Sequence, residues 1–229
     1  MVTDDALAEQ VAYYRRRAEE YDETAYGDLA AAQRRIARLV GEMHPTGKVL
    51  EIACGTGLWT RALTDSANTV LAIDASPEVL AIARDRVTAA NVTFAAADVF
   101  TWRSTARFDV VFFSAWLSHV PADRFAEFWR LLRDLLVENG RVLFIDEHVD
   151  ERAKESYIEG RDDVVERRLN DGSSYRVIKN FVDPERLVAA LREIGWECTV
   201  RRDGRDWVVG EARPCPTPAR DEPAGPRHT

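Results

Sequence analysis

The chain has 229 residues, 46% hydrophobic and 31% charged, which suits one large folded domain and excludes wholesale disorder. Its net charge of −8, from 31 Lys and Arg against 39 Asp and Glu, argues against a nucleic-acid partner. No apolar run approaches the roughly 20 residues of a membrane helix, and the N-terminus is acidic, unlike a signal peptide. The three cysteines are scattered along the chain. We therefore expect a cytoplasmic protein without disulfides.

Two helices are predicted at the start of the chain. Apolar residues at helical spacing indicate a helix over 5–24 and a second over 28–43. Pro45 and Gly47 then end the second helix.

From Lys48 onward, short apolar strands alternate with helices. The predicted strands are 49–52, 69–73, 92–95, 108–113 and 141–145, and the helices between them are 58–66, 77–87 and 122–138. This alternation is typical of a parallel sheet with right-handed crossovers. The strand over 108–113 is apolar throughout, which predicts a central strand covered on both faces.

The last third of the chain departs from this alternation. Residues 150–180 are charged and weakly patterned, which indicates an insertion or cap. A helix over 184–193 precedes two predicted strands, 196–201 and 206–211, whose tight turn indicates an antiparallel hairpin at the sheet edge. The main domain therefore spans 46–212, and the proline-rich residues 213–229 are predicted to be a disordered tail.

A loop of small residues follows the first strand and opens a helix. It reads Glu51-Ile52-Ala53-Cys54-Gly55-Thr56-Gly57, and such a loop lets the backbone approach a ligand closely. Asp74 ends the second strand, where a carboxylate can accept hydrogen bonds from both hydroxyls of a ribose. Asp98 follows the third strand at the same sheet edge. Together these positions favour a nucleoside-like ligand over a purely structural turn and helix cap.

A nicotinamide cofactor is the main alternative ligand for this loop. Its fingerprint is G-x-G-x-x-G, and the third glycine is absent here. Two antiparallel strands at the end of the sheet also suit that class poorly.

At these residues the chain resembles the class I S-adenosylmethionine-dependent methyltransferases, over about residues 45–146. Glu51 fills the acidic place of their first motif, Gly55 and Gly57 fill two glycine places, and Ala53 stands where glycine is usual. The resemblance implies a Rossmann-like α/β fold, S-adenosylmethionine as cofactor and S-adenosylhomocysteine as product. The residues implied to hold the cofactor are Tyr14, Glu51, Ala53, Cys54, Gly55, Asp74, Ala75, Asp98, Val99 and Ser114.

The resemblance also implies a role for the N-terminal helices. Aromatic residues there often close over the cofactor in this superfamily, and Tyr14 and Tyr21 lie on one side of the first predicted helix. Residues 1–45 are therefore predicted to form a lid, with simple packing of the two tyrosines as the alternative.

A narrower resemblance, to the phosphonate O-methyltransferases of the dehydrophos antibiotic pathway, runs through most of the chain. The matching stretches are 13–15, 20–22, 56–61, 116–121, 167–169, 171–173 and 176–179. This resemblance implies methyl transfer to an oxygen of a small phosphonate in natural-product biosynthesis. The alternatives are a carboxylate, hydroxyl or amine of another small metabolite, or a nucleotide-binding module without catalysis.

An anionic acceptor inside an acidic protein calls for charge-assisted donors. Arg168 and Lys179 match the basic cap positions of these relatives, although a solvated charged face is the alternative for each. His119, after the fourth strand, is a candidate to orient the acceptor, donate to an oxyanion or take a proton. Tyr26 is a further acceptor-side candidate. Clustered metal ligands are absent from the sequence, so we expect no metal, a small anionic substrate, and a monomer or homodimer.

Overall fold

The structure is a computed structural model that describes residues 4–216. The helices are α1 (Asp4–Arg17), α2 (Tyr21–Tyr26), α3 (Leu29–Met43), α4 (Leu58–Leu63), α5 (Pro77–Arg86), α6 (Phe125–Leu135) and α7 (Pro184–Glu193). The strands are β1 (Lys48–Ile52), β2 (Thr69–Asp74), β3 (Val92–Ala96), β4 (Phe108–Ser114), β5 (Leu136–Glu147), β6 (Val164–Arg168), β7 (Ser174–Ile178), β8 (Trp196–Asp203) and β9 (Trp207–Pro214).

The main sheet has the strand order β3-β2-β1-β4-β5-β9-β8. Strands β1 to β5 are parallel, and β9 pairs antiparallel with both β5 and β8. Leu50 of β1 stands opposite Leu71 of β2 and Val111 of β4, so the carboxyl ends of these strands meet at one edge. The predicted α/β class, with a mostly parallel sheet and a final antiparallel hairpin, is confirmed.

Alternating side chains of β4 fill two cores, one on each face of the sheet. Phe112 packs with Trp59 of α4 and Leu39 of α3, whereas Phe113 packs with Trp129 of α6. All are essentially inaccessible to water, and burial of such a side chain stabilises the fold by about 1.5–3 kcal/mol. β4 lies in the middle of the sheet, as its continuous apolar run predicts.

The predicted single helix over 5–24 is wrong, because the chain forms α1 and α2 with a turn between them. The Thr24 hydroxyl donates to the Glu20 carbonyl at 2.7 Å and accepts from the Arg17 side chain at 2.9 Å. Such local side-chain hydrogen bonds compete with a continuous helix. After the turn, α2 contacts the loop that follows β1, where Asp22 accepts a hydrogen bond from Thr56.

Other predicted boundaries also differ. The helix predicted over 122–138 ends at Leu135, because Leu136 already pairs with Phe108 in the sheet. The helix predicted over 58–66 ends at Leu63. Of the predicted tail, Arg213 and Pro214 belong to β9, and residues 217–229 lie outside the described residues.

The predicted cap over 150–180 contains a hairpin, β6–β7, on which α1 lies. Tyr13 of α1 packs with Val165 and Val177 on the inner face of this hairpin. Arg176 of β7 also bonds Glu9 of α1 at 2.9 Å. Within residues 4–216, no helix is long and apolar enough to cross a membrane.

Candidate cofactor and acceptor site

A cavity lies at the carboxyl edge of the parallel strands, beneath α1. It has a volume of about 150 Å³ and opens to solvent at its mouth. Nine of the predicted site residues line it, namely Tyr14, Ala53, Gly55, Asp74, Ala75, Asp98, Val99, Ser114 and His119. Strands β1 to β4 bring eight of them together, and α1 supplies Tyr14.

The loop after β1 leaves its backbone open toward the cavity. Gly55 has φ +54°, and a Cβ added there would meet no atom within 4 Å, so the backbone forms a cradle on this side. Gly57 has φ +82° and packs against α5, where an added Cβ would come within 3.1 Å of the Ala83 Cα. Ala53 also has a left-handed φ of 53°, which explains why glycine is usual at this place in the resembled family.

Asp74 has the hydrogen-bond geometry expected of a ribose ligand. Its Oδ2 accepts from the Gly55 amide at 3.0 Å, and its Oδ1 accepts from the Ser76 amide at 2.8 Å. Burial raises the pKa of this carboxyl, while the backbone hydrogen bonds lower it. Since each carboxylate oxygen accepts up to two hydrogen bonds, both retain capacity for a ribose hydroxyl. Asp98, at the same edge, accepts from the Phe100 amide at 2.9 Å.

Glu51 and Cys54 lie beneath the loop and do not line the cavity. Glu51 is 1% exposed, and its Oε2 is a buried atom without a hydrogen-bond partner among the described residues. Burial raises the pKa of Glu51 to about 8. The Cys54 side chain belongs to the core under α3 and α4, and burial raises the pKa of its thiol.

His119 is fixed in one neutral tautomer by two hydrogen bonds. Its Nδ1 lies 2.7 Å from the Ile178 carbonyl oxygen, which can only accept, so Nδ1 carries the proton. Its Nε2 then accepts from the Tyr14 hydroxyl at 2.8 Å. Burial holds the pKa of His119 well below 6.5, and the nearby charge of Lys179 lowers it further. The ring is therefore uncharged and has both nitrogens engaged.

Lys179 lies behind His119 and is buried. Its Nζ donates to the Ser118 hydroxyl at 3.1 Å and pairs with Glu147 Oε2 at 2.7 Å. Asp146 lies beside this pair and accepts from the Ser118 amide at 3.0 Å. Burial raises the pKa of Asp146, and Lys179 lowers it. The result is a buried polar cluster with a single fixed ammonium group next to the cavity.

Arg168 and Tyr26 lie away from the cavity. The Arg168 side chain is 71% exposed on the outer face of β6, where its guanidinium donates to Ser174 Oγ at 3.3 Å. Because side chains alternate along a strand, its neighbour Arg167 faces inward with Val165 and pairs with Glu155. The Tyr26 hydroxyl accepts from the Trp59 indole at 3.3 Å, and burial raises its pKa far above 10.

Sequence reasoning missed several residues that shape the site. Gln10 is 3% exposed, accepts from the Ile178 amide at 3.1 Å and donates to the His119 carbonyl at 3.4 Å. Gln10 is four residues before Tyr14, and this spacing places both on the same face of α1, which could have indicated that Gln10 also faces the site. Arg124 and Phe100 also line the cavity, whereas Tyr21, which lines it from α2, is one of the two tyrosines that the sequence places in the lid.

Comparison with known proteins agrees with this geometry. The family described as a methyltransferase domain matches residues 49–140. The chain is similar to DhpI in its SAH complex, with 35% identity over 94% of this chain and 100% of that chain and a TM-score of 0.83. It is equally similar to DhpI in its SAM–HEP complex, with 35% identity, coverage of 93% and 100%, and a TM-score of 0.83.

A more distant structure shares the fold alone. It is an S-adenosylmethionine-dependent methyltransferase from Clostridium acetobutylicum ATCC 824, 14% identical over 89% of this chain and 100% of that chain, with a TM-score of 0.68. No curated protein sequence matches the chain significantly.

The described residues fit S-adenosylmethionine. The open cradle at Gly55 leaves room for the ligand next to the protein backbone. The two carboxyl oxygens of Asp74 suit the ribose hydroxyls. Beneath the loop, Glu51 has a carboxyl oxygen without a hydrogen-bond partner among the described residues. Together with the similarity to DhpI over its full length, these features identify the chain as a member of the class I S-adenosylmethionine-dependent methyltransferases.

Proposed function

We propose that this methyltransferase methylates an already ionised oxygen of a small acid, and that the acceptor is a phosphonate. The observation that carries the proposal is the state of His119. Both of its ring nitrogens are hydrogen-bonded, and its pKa is held well below 6.5, first of all by burial. A histidine in this state is a poor general base, because it has no free lone pair and a low proton affinity.

This observation separates acceptor classes. An alcohol must lose its proton as its oxygen attacks, so it needs a base within hydrogen-bond reach. The two carboxylates that line the cavity, Asp74 and Asp98, are engaged by backbone amides at the edge assigned to the cofactor, and burial raises the pKa values of the lining Tyr14 and Tyr21. A phosphonate or carboxylate oxygen is ionised near neutral pH and needs no base. Full-length similarity to DhpI favours the phosphonate, in the role of natural-product biosynthesis implied by the resemblance.

Two basic side chains near His119 are candidates to contact an anionic acceptor, and each is paired with a carboxylate, Lys179 with Glu147 and Arg167 with Glu155. Lys179 contributes a buried ammonium group beside His119. Arg167 faces inward from β6, and after burial and Lys179 its charge is a further cause that lowers the pKa of His119. We therefore assign the acceptor's anion contact to Arg167, whose side chain is 30% exposed and exchanges Glu155 for the acceptor, while Lys179 stays paired with Glu147. The outward Arg168, which matches the family pattern in sequence, receives no such role.

The residues of this chain then act by orientation and exclusion of water. S-adenosylmethionine, when bound, supplies an electrophilic methyl group on a sulfonium. Asp74 and the cradle at Gly55 hold the cofactor, while α1 covers the cavity and carries Tyr14 to His119. Well-oriented reacting groups can contribute up to roughly 7–11 kcal/mol to such a step. One acceptor oxygen must stay free of the cations, because a tightly held oxygen is a weaker nucleophile.

The test is methyl transfer from labelled S-adenosylmethionine to matched small phosphonates, carboxylates, alcohols and amines. We expect turnover on phosphonates, weaker turnover on carboxylates and none on alcohols. Arg167→Gln should raise the acceptor KM at least about tenfold, a loss of ~1.4 kcal/mol, whereas the adjacent Arg168→Gln should change it less than about twofold. Turnover on alcohols but on no phosphonate would refute the proposal.

A further inference from the structure

A three-residue polar contact joins α2 to the loop after β1. The Thr56 hydroxyl donates to Asp22 Oδ1 at 2.6 Å. Arg86, the last residue of α5, donates through Nη1 to the Thr56 carbonyl at 2.7 Å and to the Thr56 hydroxyl at 2.8 Å. Its Nη2 pairs with Asp22 Oδ2. Each of the three side chains therefore bonds the other two, and we call this group the Asp22–Thr56–Arg86 clamp.

The clamp is shielded from water, which strengthens its charge-assisted bonds. Thr56 is 3% exposed, and the side chains of Asp22 and Arg86 are 17% and 21% exposed. By contrast, α2 has six residues and none of them is buried. Apart from the clamp, α2 is held by weaker contacts, such as the 3.3 Å bond between Trp59 and Tyr26. The apolar contacts of α2 come from Tyr26, which packs on the core under α3 and α4, and from Tyr21 at the cavity, and the clamp is its charged anchor.

Both sides of the clamp belong to the cofactor site. Thr56 lies between Gly55, whose amide bonds Asp74, and Gly57, which packs against α5. On the other side, Asp22 is adjacent to Tyr21, which lines the cavity. Tyr21 stands 6.3 Å from Tyr14, measured between ring centroids. Displacement of α2 would therefore remove an aromatic wall of the cavity and free the cradle loop at the same time.

We propose that Asp22 and Arg86 are positioning residues that close α2 over the bound cofactor and so control how fast it dissociates. They act through Thr56 and Tyr21 and need not touch the cofactor. This inference concerns cofactor retention alone, so it stands or falls independently of the acceptor that the enzyme uses.

The test measures binding of S-adenosylhomocysteine to the full chain by calorimetry and stopped-flow kinetics. Arg86→Gln should raise Kd at least about tenfold, which corresponds to ~1.4 kcal/mol, and most of the change should be in the dissociation rate. Amide hydrogen exchange in Tyr21–Tyr26 should become faster in the same variant. The matched control is Arg84→Gln on the same helix, whose exposed side chain donates to the Phe94 carbonyl at 3.4 Å. That control should stay within about twofold of the wild type.

A second pair of variants keeps the inference testable if Arg86→Gln does not fold. Thr56→Val removes the hydroxyl and should weaken cofactor binding, whereas Thr56→Ser keeps the hydroxyl and should bind the cofactor as the wild type does. Serine would not rescue a purely steric role of Thr56. Wild-type dissociation kinetics in Thr56→Val, or unchanged hydrogen exchange in α2 in that variant, would overturn the proposal.

Discussion

Glu51→Gln is expected to change how the stability of the cofactor-free protein depends on pH. Burial raises the pKa of Glu51 from 4.5 to about 8 in the folded state. Between these values the folded protein holds a proton that the unfolded chain has released. Raising the pH through this window therefore favours unfolding. The contribution of Glu51 to the free energy of unfolding is constant below pH 4.5 and falls until the carboxyl ionises in the folded state, near pH 8.

The size of the effect follows from the two pKa values. Each pH unit in the window lowers the free energy of unfolding by ~1.4 kcal/mol, so the loss across the window is about 5 kcal/mol. The glutamine of Glu51→Gln cannot ionise, so the variant loses none of this free energy of unfolding. Its amide faces the same unpartnered surroundings as Glu51 Oε2, which costs about 1–3 kcal/mol at every pH alike. The diagnostic quantity is therefore the slope against pH and not the stability at one pH.

Urea denaturation followed by circular dichroism, at intervals from pH 5 to 8.5, measures this slope. Over that range the difference in free energy of unfolding between Glu51→Gln and the wild type should shift by several kcal/mol in favour of the variant, at ~1.4 kcal/mol per pH unit. Glu138→Gln, an exposed change on β5, is the control and should run parallel to the wild type. Parallel curves for the Glu51 variant and the wild type would refute the assignment of a buried, protonated carboxyl beneath the cofactor loop.

Three further predictions concern the same site. Asp74→Ala should weaken S-adenosylmethionine binding at least about tenfold by calorimetry, because it removes the ribose acceptor and the partner of two backbone amides; wild-type affinity would contradict its role. Ala53→Gly should stabilise the protein by about 1 kcal/mol in urea denaturation, because it relieves a left-handed φ of 53°, whereas Ala37→Gly, exposed in α3, should destabilise it similarly. By NMR, the His119 ring should keep its neutral Nδ1-protonated form as the pH falls through 6.5, since burial lowers its pKa; an ionisation at 6.5 would show that the ring is solvated.

Much of the fold was predictable because its signals are local. The apolar run of β4 and the alternation of strands and helices come from neighbouring residues, and they predict a parallel sheet. Parallel strands bring their carboxyl ends to one edge, so positions such as Gly55, Asp74 and Asp98 could be grouped before any coordinates. The break between α1 and α2 was not predicted, because helical periodicity continues across it while Thr24 bonds the backbone locally.

The sequence by itself determined the class of sheet and the edge at which a cofactor binds, because periodicity and loop composition act over a few residues. Only the tertiary structure decided which groups meet there and in what ionisation state. Tyr14 and His119 are 105 residues apart, and Asp22 and Arg86 are 64 apart, so no local pattern pairs them. The choice between Arg167 and Arg168 depends on which face of β6 lies under α1. The neutral His119 and the protonated Glu51 follow from burial, which exists only once these distant segments pack together.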